Sequence, residues 1–429
     1  MILEKINYES INEVIYKYQL DNGLKVIIIP KKGFNKTFVY FGTKYGSLAN
    51  IFIPHNEKNF FTAPLGIAHF LEHKMFAIDD KTDAMNLFAE LGLDVNAYTD
   101  YTQTVYLFSG TSNINKGINL LLDFVQKPYF TDENVESEKE IIEQELKMYM
   151  DTPSDCLHNG LMQNMFENYA LKYDIGGTIE SIKQINKDYL YKCYNTFYNP
   201  GNMEMTICGD VNPEEIIEII NNNQSKKQFN NIKNIETKFS IENNKVNKKS
   251  DERHMEINNS LVSIGIKIPY KKYSKNECLL EEILLRIVLN ASIGSSTNFY
   301  QKLLDDKLVL TYFRNSVYID GNCGYIKVSA DTNDKDELIK RVSKKLLKLN
   351  NIKINEKTFN RFKRATMGGF IKSLNSPEYI ASSYMEYDFK NCELFEIINL
   401  IDKLTIEDAK KMSKYFDVNA LTTYTILPN

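Results

Sequence analysis

No tryptophan occurs among the 429 residues, and only five histidines do. A cationic surplus is missing too: 52 Lys and Arg stand against 56 Asp and Glu, a formal net charge of -4. Without a basic stripe interleaved with aromatics, the chain lacks the electrostatic footprint of a nucleic-acid binder. No apolar run approaches the roughly 18 residues that cross a bilayer, and the strongest, Leu24 to Ile29, is strand-sized. No membrane partner is therefore expected. The opening Met1-Ile2-Leu3-Glu4-Lys5 carries an acid early and lacks the apolar stretch of a secretory signal. Six cysteines (Cys156, Cys193, Cys208, Cys278, Cys323 and Cys392) are scattered with no Cys-x-x-Cys pair. That removes thiolate-metal and redox motifs and leads us to expect a cytoplasmic protein.

What is present is enough apolar sequence for two or three domains, at 43% hydrophobic residues. Between about 222 and 256 the chain turns Asn- and Lys-rich, a composition that predicts a linker. It separates residues 1–221 from residues 257–429. The first part predicts strands at 25–29, 37–42, 94–99 and 104–109, with a helix at about 66–76 among them. Helices near 114–127, 134–150, 155–169 and 186–197 come next, then a strand at 203–208. The second part repeats this order, with strands near 261–268, 309–319 and 323–330, a helix near 276–291, more helices and a last strand. Local similarity supports a duplication: Leu146 to Pro153 resembles Phe370 to Pro377, and Ile185 to Leu190 resembles Leu404 to Ala409. The expected fold is α+β, two homologous domains, each a mostly antiparallel sheet packed against helices.

Two of the five histidines fall in His69-Phe70-Leu71-Glu72-His73. On a helix, positions i and i+4 share a face one turn apart, so both imidazoles can reach one cation. Glu72, between them, is placed to touch a water on that cation as a general base. The apolar neighbours Ile67, Ala68, Phe70 and Leu71 imply a buried helix. A catalytic zinc site usually takes a third protein ligand, and the segment 138–147 offers Glu138, Glu140, Glu143 and Glu145 on one predicted helix. Spacing alone leaves all four open. His55, His158 and His254 have no partner at ligand spacing and read as surface or structural residues.

From Gly66 to Phe76, at Asn96-Ala97-Tyr98-Thr99, at Leu122 to Val125, at Glu138 to Tyr149 and at Phe197 to Met203, the chain resembles the pitrilysin-like (inverzincin) zinc peptidases. This family includes insulysin and the mitochondrial processing peptidases, and the chain looks like a bacterial half-length member. The resemblance implies a Zn2+ cofactor held by His69, His73 and Glu145, with Glu72 as general base and Glu138 as a supporting acid beside the ligands. It implies a peptide substrate laid along an edge strand at Asn96 and Ala97. It also implies a zinc-free second domain that contributes an Arg and a Tyr seven residues apart. Tyr312 fits the tyrosine, but Asp305 stands at the arginine position. The counterparts of Glu138 and Glu145 are Phe362 and Gly369, so one zinc per chain is expected. The partner implied is a second copy or a zinc-less sister subunit. A non-catalytic structural or docking subunit is the alternative, and the retained His69, Glu72, His73 and Glu145 speak against it.

Overall fold

The computed structural model describes residues 3–230, 232, 234–274 and 276–429. The first half opens with β1 (Glu4–Tyr8), β2 (Glu13–Gln19), β3 (Lys25–Pro30) and β4 (Thr37–Thr43). A small hairpin, β5 (Ile51–Phe52) and β6 (Phe61–Thr62), leads into α1 (Ile67–Met75) and α2 (Ala84–Glu90). Then come β7 (Asp94–Thr99), β8 (Thr104–Gly110), α3 (Ile114–Val125), α4 (Asp132–Asp151), α5 (Pro153–Met165) and, after further helices, β9 (Met203–Gly209). The second half holds β10 (Ser250–Met255), β11 (Ser260–Ile268), β12 (Phe313–Ile319), β13 (Gly324–Thr332) and β14 (Leu421–Pro428).

The first sheet runs β1-β2-β3-β9-β4-β8-β7, antiparallel except at β3–β9, and the second runs β10-β14-β11-β13-β12, antiparallel except at β10–β14. Both pack on helices, so the α+β expectation holds. The central strands are buried on both faces. In β3, Val26 and Ile28 enter a core with Phe41, Phe108, Leu121 and Phe70, whereas Ile27 and Ile29 enter another with Tyr384 and Met385. That two-sided burial is why β3 reads as an unbroken apolar run with no alternation.

The second core is built by exchange. Helix Pro377–Phe389, from the second half, packs on β4 and β9 of the first sheet, and α5, from the first half, packs on β11 and β14 of the second. The seats are tight: a Cβ on Gly265 of β11 would stand 2.3 Å from Met165, and one on Gly160 of α5 would stand 2.2 Å from the Tyr424 ring. Each exchanged helix starts with proline in its first turn after a Thr or Ser, at Thr152-Pro153 and Ser376-Pro377. Proline there costs no intrahelical hydrogen bond.

Several boundaries differ from the sequence expectation. The strand expected from 309 begins at Phe313, because the Thr311 and Tyr312 amides donate to Asp331 Oδ1 (2.8 and 3.0 Å) instead of to a ladder. The helix expected to reach 169 stops at Met165, where Phe166 turns to extended backbone. Within the segment 222–256, residues 222–224 complete the helix Pro213–Gln224 and Ser250–Met255 form β10. Its Glu242 is buried, pairs with Lys267 of β11 at 2.8 Å and accepts the amides of Asn168 and Tyr169 at 2.8 and 2.9 Å. The polar composition there serves as anchorage. Among the described residues, no helix is long and apolar enough to cross a membrane.

Candidate metal centre

α1 begins after Gly66, whose φ of +84° lies in the left-handed region and whose Cβ position is 2.2 Å from the Gly176 carbonyl oxygen. Only glycine meets both demands. The helix buries Ile67, Phe70, Leu71 and Met75 and leaves His69 and His73 half-buried, their ring centroids 4.6 Å apart. α4 is started by a capping box in which Thr131 and Asn134 satisfy each other's backbone amides. Its buried residues Val135, Ile142 and Leu146 form a narrow stripe, and Glu138 and Glu145, three residues after Val135 and Ile142, lie along that stripe. Glu143 turns outward to Lys147 at 2.7 Å, and Glu140 is exposed. Packing of α4 on α1 thus selects two of the four candidate acids.

One oxygen of Glu145 faces both imidazoles. Oε2 lies 3.8 Å from His69 Nε2 and 3.6 Å from His73 Nε2, and one atom from each of the three residues falls within 4.8 Å of the others. Ligands on a tetrahedral zinc with bonds of about 2.0–2.1 Å stand about 3.4 Å apart. Glu145 Oε2 is buried without a hydrogen-bond partner among the described residues, which is costly for a carboxylate unless a cation shares the space. Two neutral imidazoles and one carboxylate are a fitting donor set for zinc. Glu145 Oε1 is held by the Tyr149 hydroxyl at 2.6 Å.

The surroundings orient the ligands. His73 Nδ1 lies 3.1 Å from Glu138 Oε1, and Lys74 Nζ donates to the other Glu138 oxygen at 3.2 Å. A proton on Nδ1 leaves the Nε2 lone pair free for a metal. Burial works against charge on His73, but the Glu138 hydrogen bond and the surrounding carboxylates outweigh it and raise its pKa. His69 moves the other way, lowered by burial and then by His73. Glu72 is buried and accepts from Thr99 Oγ1 at 2.7 Å; burial raises its pKa despite that hydrogen bond.

Thr99 ends β7, the edge strand of the first sheet, and Ala97 shares its face two residues earlier. Asn96 is exposed on the same edge. Tyr312 is held in the second half, where its neighbours are Asp331 and Arg314, and among the described residues no interaction joins it to the histidine pair. Asp305 is exposed and accepts from Gln301 at 2.9 Å. Phe362 and Gly369 lie on helix Glu356–Ser373 and offer no metal donor. Lys74, Thr99 and Tyr149 were not singled out from sequence. Tyr149 could have been, since it stands four residues, one helical turn, after Glu145.

The profile of the insulinase (peptidase family M16) domain matches residues 62–179, which contain all five of these histidines and glutamates, and that of the peptidase M16 inactive domain matches 184–366. The chain is 37% identical over 428 residues to the uncharacterized zinc protease YmfH of Bacillus subtilis (strain 168), covering 100% of both chains. This chain belongs to the M16 peptidase family. The M16 chain is also 28% identical to the mitochondrial-processing peptidase subunit beta of Caenorhabditis elegans over 221 residues, 50% of this chain and 44% of that one. Its fold matches the crystal structure of an M16-like peptidase from Alicyclobacillus acidocaldarius with a TM-score of 0.92 at 31% identity, over 100% and 99% of the two chains. A protease from Helicobacter pylori shares the fold alone, with a TM-score of 0.81 at 19% identity over 96% and 99% of the chains.

Proposed function

We propose that this M16 chain is a zinc-dependent endopeptidase acting on peptides or unfolded segments, with His69, His73 and Glu145 as the ligands of one zinc per chain. The observation that carries the reading is the buried, unpartnered Glu145 Oε2 facing both imidazoles, with Glu72 alongside. When bound, zinc supplies Lewis acidity toward the scissile carbonyl and an acidified water. Glu72 takes the proton of the attacking water and returns it to the leaving amine. Its raised pKa suits both halves of that transfer. Thr99 fixes the carboxylate's direction, and Glu138 fixes the ring of His73. The edge of β7 at Asn96 and Ala97 holds the substrate as an added strand, so only extended chain fits.

The partner is either a second copy, which supplies Tyr312 but carries Asp305 in place of the Arg, or a zinc-less sister subunit that carries the Arg and Tyr pair. A relative named as a beta subunit supports such pairing. Six buried cysteines, none in a disulfide among the described residues, suit a reducing cytoplasm. The test is metal analysis with a peptide-library digest on wild type, Glu72→Gln and Glu145→Gln. Glu72→Gln should keep its zinc and lose at least about 10²-fold in cleavage rate. Glu145→Gln should lose the zinc itself. Cleavage by Glu72→Gln at the wild-type rate would refute the assignment of the base.

A further inference from the structure

The two zinc-ligand histidines are unequally supported. His73 Nδ1 has Glu138, whereas His69 Nδ1 is buried with no hydrogen-bond partner among the described residues. If Nε2 faces the metal, Nδ1 carries a proton, and a buried N–H without an acceptor costs free energy. The carboxylates that act on the His69 ring are, in order, Glu145, Asp174 and Glu138. Glu145 faces Nε2 and Glu138 is engaged by His73 and Lys74, which leaves Asp174.

Asp174 sits in the loop after α5, where it is tied down: Asn159 Nδ2 donates to Oδ2 at 2.7 Å and the Gly176 amide donates to Oδ1 at 2.8 Å. Each oxygen keeps a lone pair free. Gly176 lies against both this carboxylate and His69. A Cβ on it would stand 2.9 Å from Leu146 Cδ2, 3.2 Å from Asp174 Oδ1 and 3.7 Å from His69 Nδ1, so a side chain there would crowd the space beside both polar atoms.

We infer that Asp174 is a positioning residue for the metal: through one water beside Gly176 it accepts the hydrogen bond of the His69 Nδ1–H, as Glu138 accepts directly from His73. A carboxylate behind an imidazole fixes its tautomer and makes it a stronger ligand. The inference rests on the zinc reading above, and the measurement separates the two.

Zinc affinity is measured on the metal-free full chain by chelator competition, alongside its Tm. Asp174→Asn keeps the shape and the two hydrogen bonds, after a flip of the Asn159 amide, and should weaken zinc binding by about 10–100-fold at unchanged Tm. Asp174→Glu should restore part of the loss. Gly176→Ala retains the carboxylate but crowds the place of that water and should weaken binding similarly; it decides the matter should Asp174→Asn fail to fold. In the zinc-loaded wild type, the His69 Nδ1 proton should exchange slowly by NMR, and more quickly in Asp174→Asn, whose neutral amide oxygen is the weaker acceptor. Wild-type zinc affinity in both Asp174→Asn and Gly176→Ala would overturn the inference, provided His69→Ala loses zinc. If His69→Ala binds zinc as wild type does, the metal reading itself fails, and the Asp174 assignment with it.

Discussion

Glu72 combines a buried carboxyl with a single hydrogen bond, from Thr99. A hydrogen bond to a charged group is worth about 1.5–3 kcal/mol, so Thr99→Val should slow cleavage by about tenfold to a hundredfold while zinc content stays at the wild-type level. His158 tests electrostatics away from the metal. Burial, then the charge of Lys327 3.1 Å from its ring nitrogen, pushes its pKa down to about 3. The unfolded chain binds that proton near pH 6.5, so between those values the folded state holds fewer protons. The stability from this group is complete above pH 6.5 and lost as pH falls toward 3. His158→Gln should flatten the fall of Tm between pH 7 and 4, and an equally steep fall would rule out His158 as its source. The histidine pair and Glu72 were legible because their spacing has one helical interpretation. Glu145 is named by the resemblance alone, because spacing leaves four acids on α4 open and only the contact with α1 ranks them. Asn96 and Ala97 lie on the edge strand β7, while the Tyr312 amide donates to Asp331 and, among the described residues, no interaction joins Tyr312 to the histidine pair.

Elements whose residues face one environment were readable to within a few positions, as with β7 and β8. β1 and β2 precede the first strand that the sequence predicts, at 25–29. Lys17 and Glu13 interrupt the apolar pattern of β2, and their charges are met by distant partners, Glu393 and Lys31. The exchange of α5 and helix Pro377–Phe389 was equally hidden, since no local pattern says which sheet a helix will cover. It has a direct test. Gly160→Ala places a methyl against the Tyr424 ring and should cost about 1–3 kcal/mol by overpacking, read as a lower Tm with zinc affinity preserved.

Over the whole molecule, the exchanged helices and Glu242, which pairs with Lys267 and accepts the amides of Asn168 and Tyr169, make the halves interdependent. Removing one member of a fully buried ion pair strands the other charge, so Glu242→Gln should lower stability by about 3–5 kcal/mol. For the same reason residues 1–224 expressed alone should not fold cooperatively, and co-expression with 225–429 should restore them. A folded, zinc-binding fragment 1–224 would contradict this. The metal depends on the same architecture, because α1 and α4 are both packed into the core that Val26 and Ile28 of β3 enter. The most direct measurement is a crystal structure of the zinc-loaded chain with anomalous diffraction at the zinc edge. It should show one strong peak per chain, bonded to His69 Nε2, His73 Nε2 and Glu145 Oε2; a peak elsewhere, or none at these three atoms, would contradict the account.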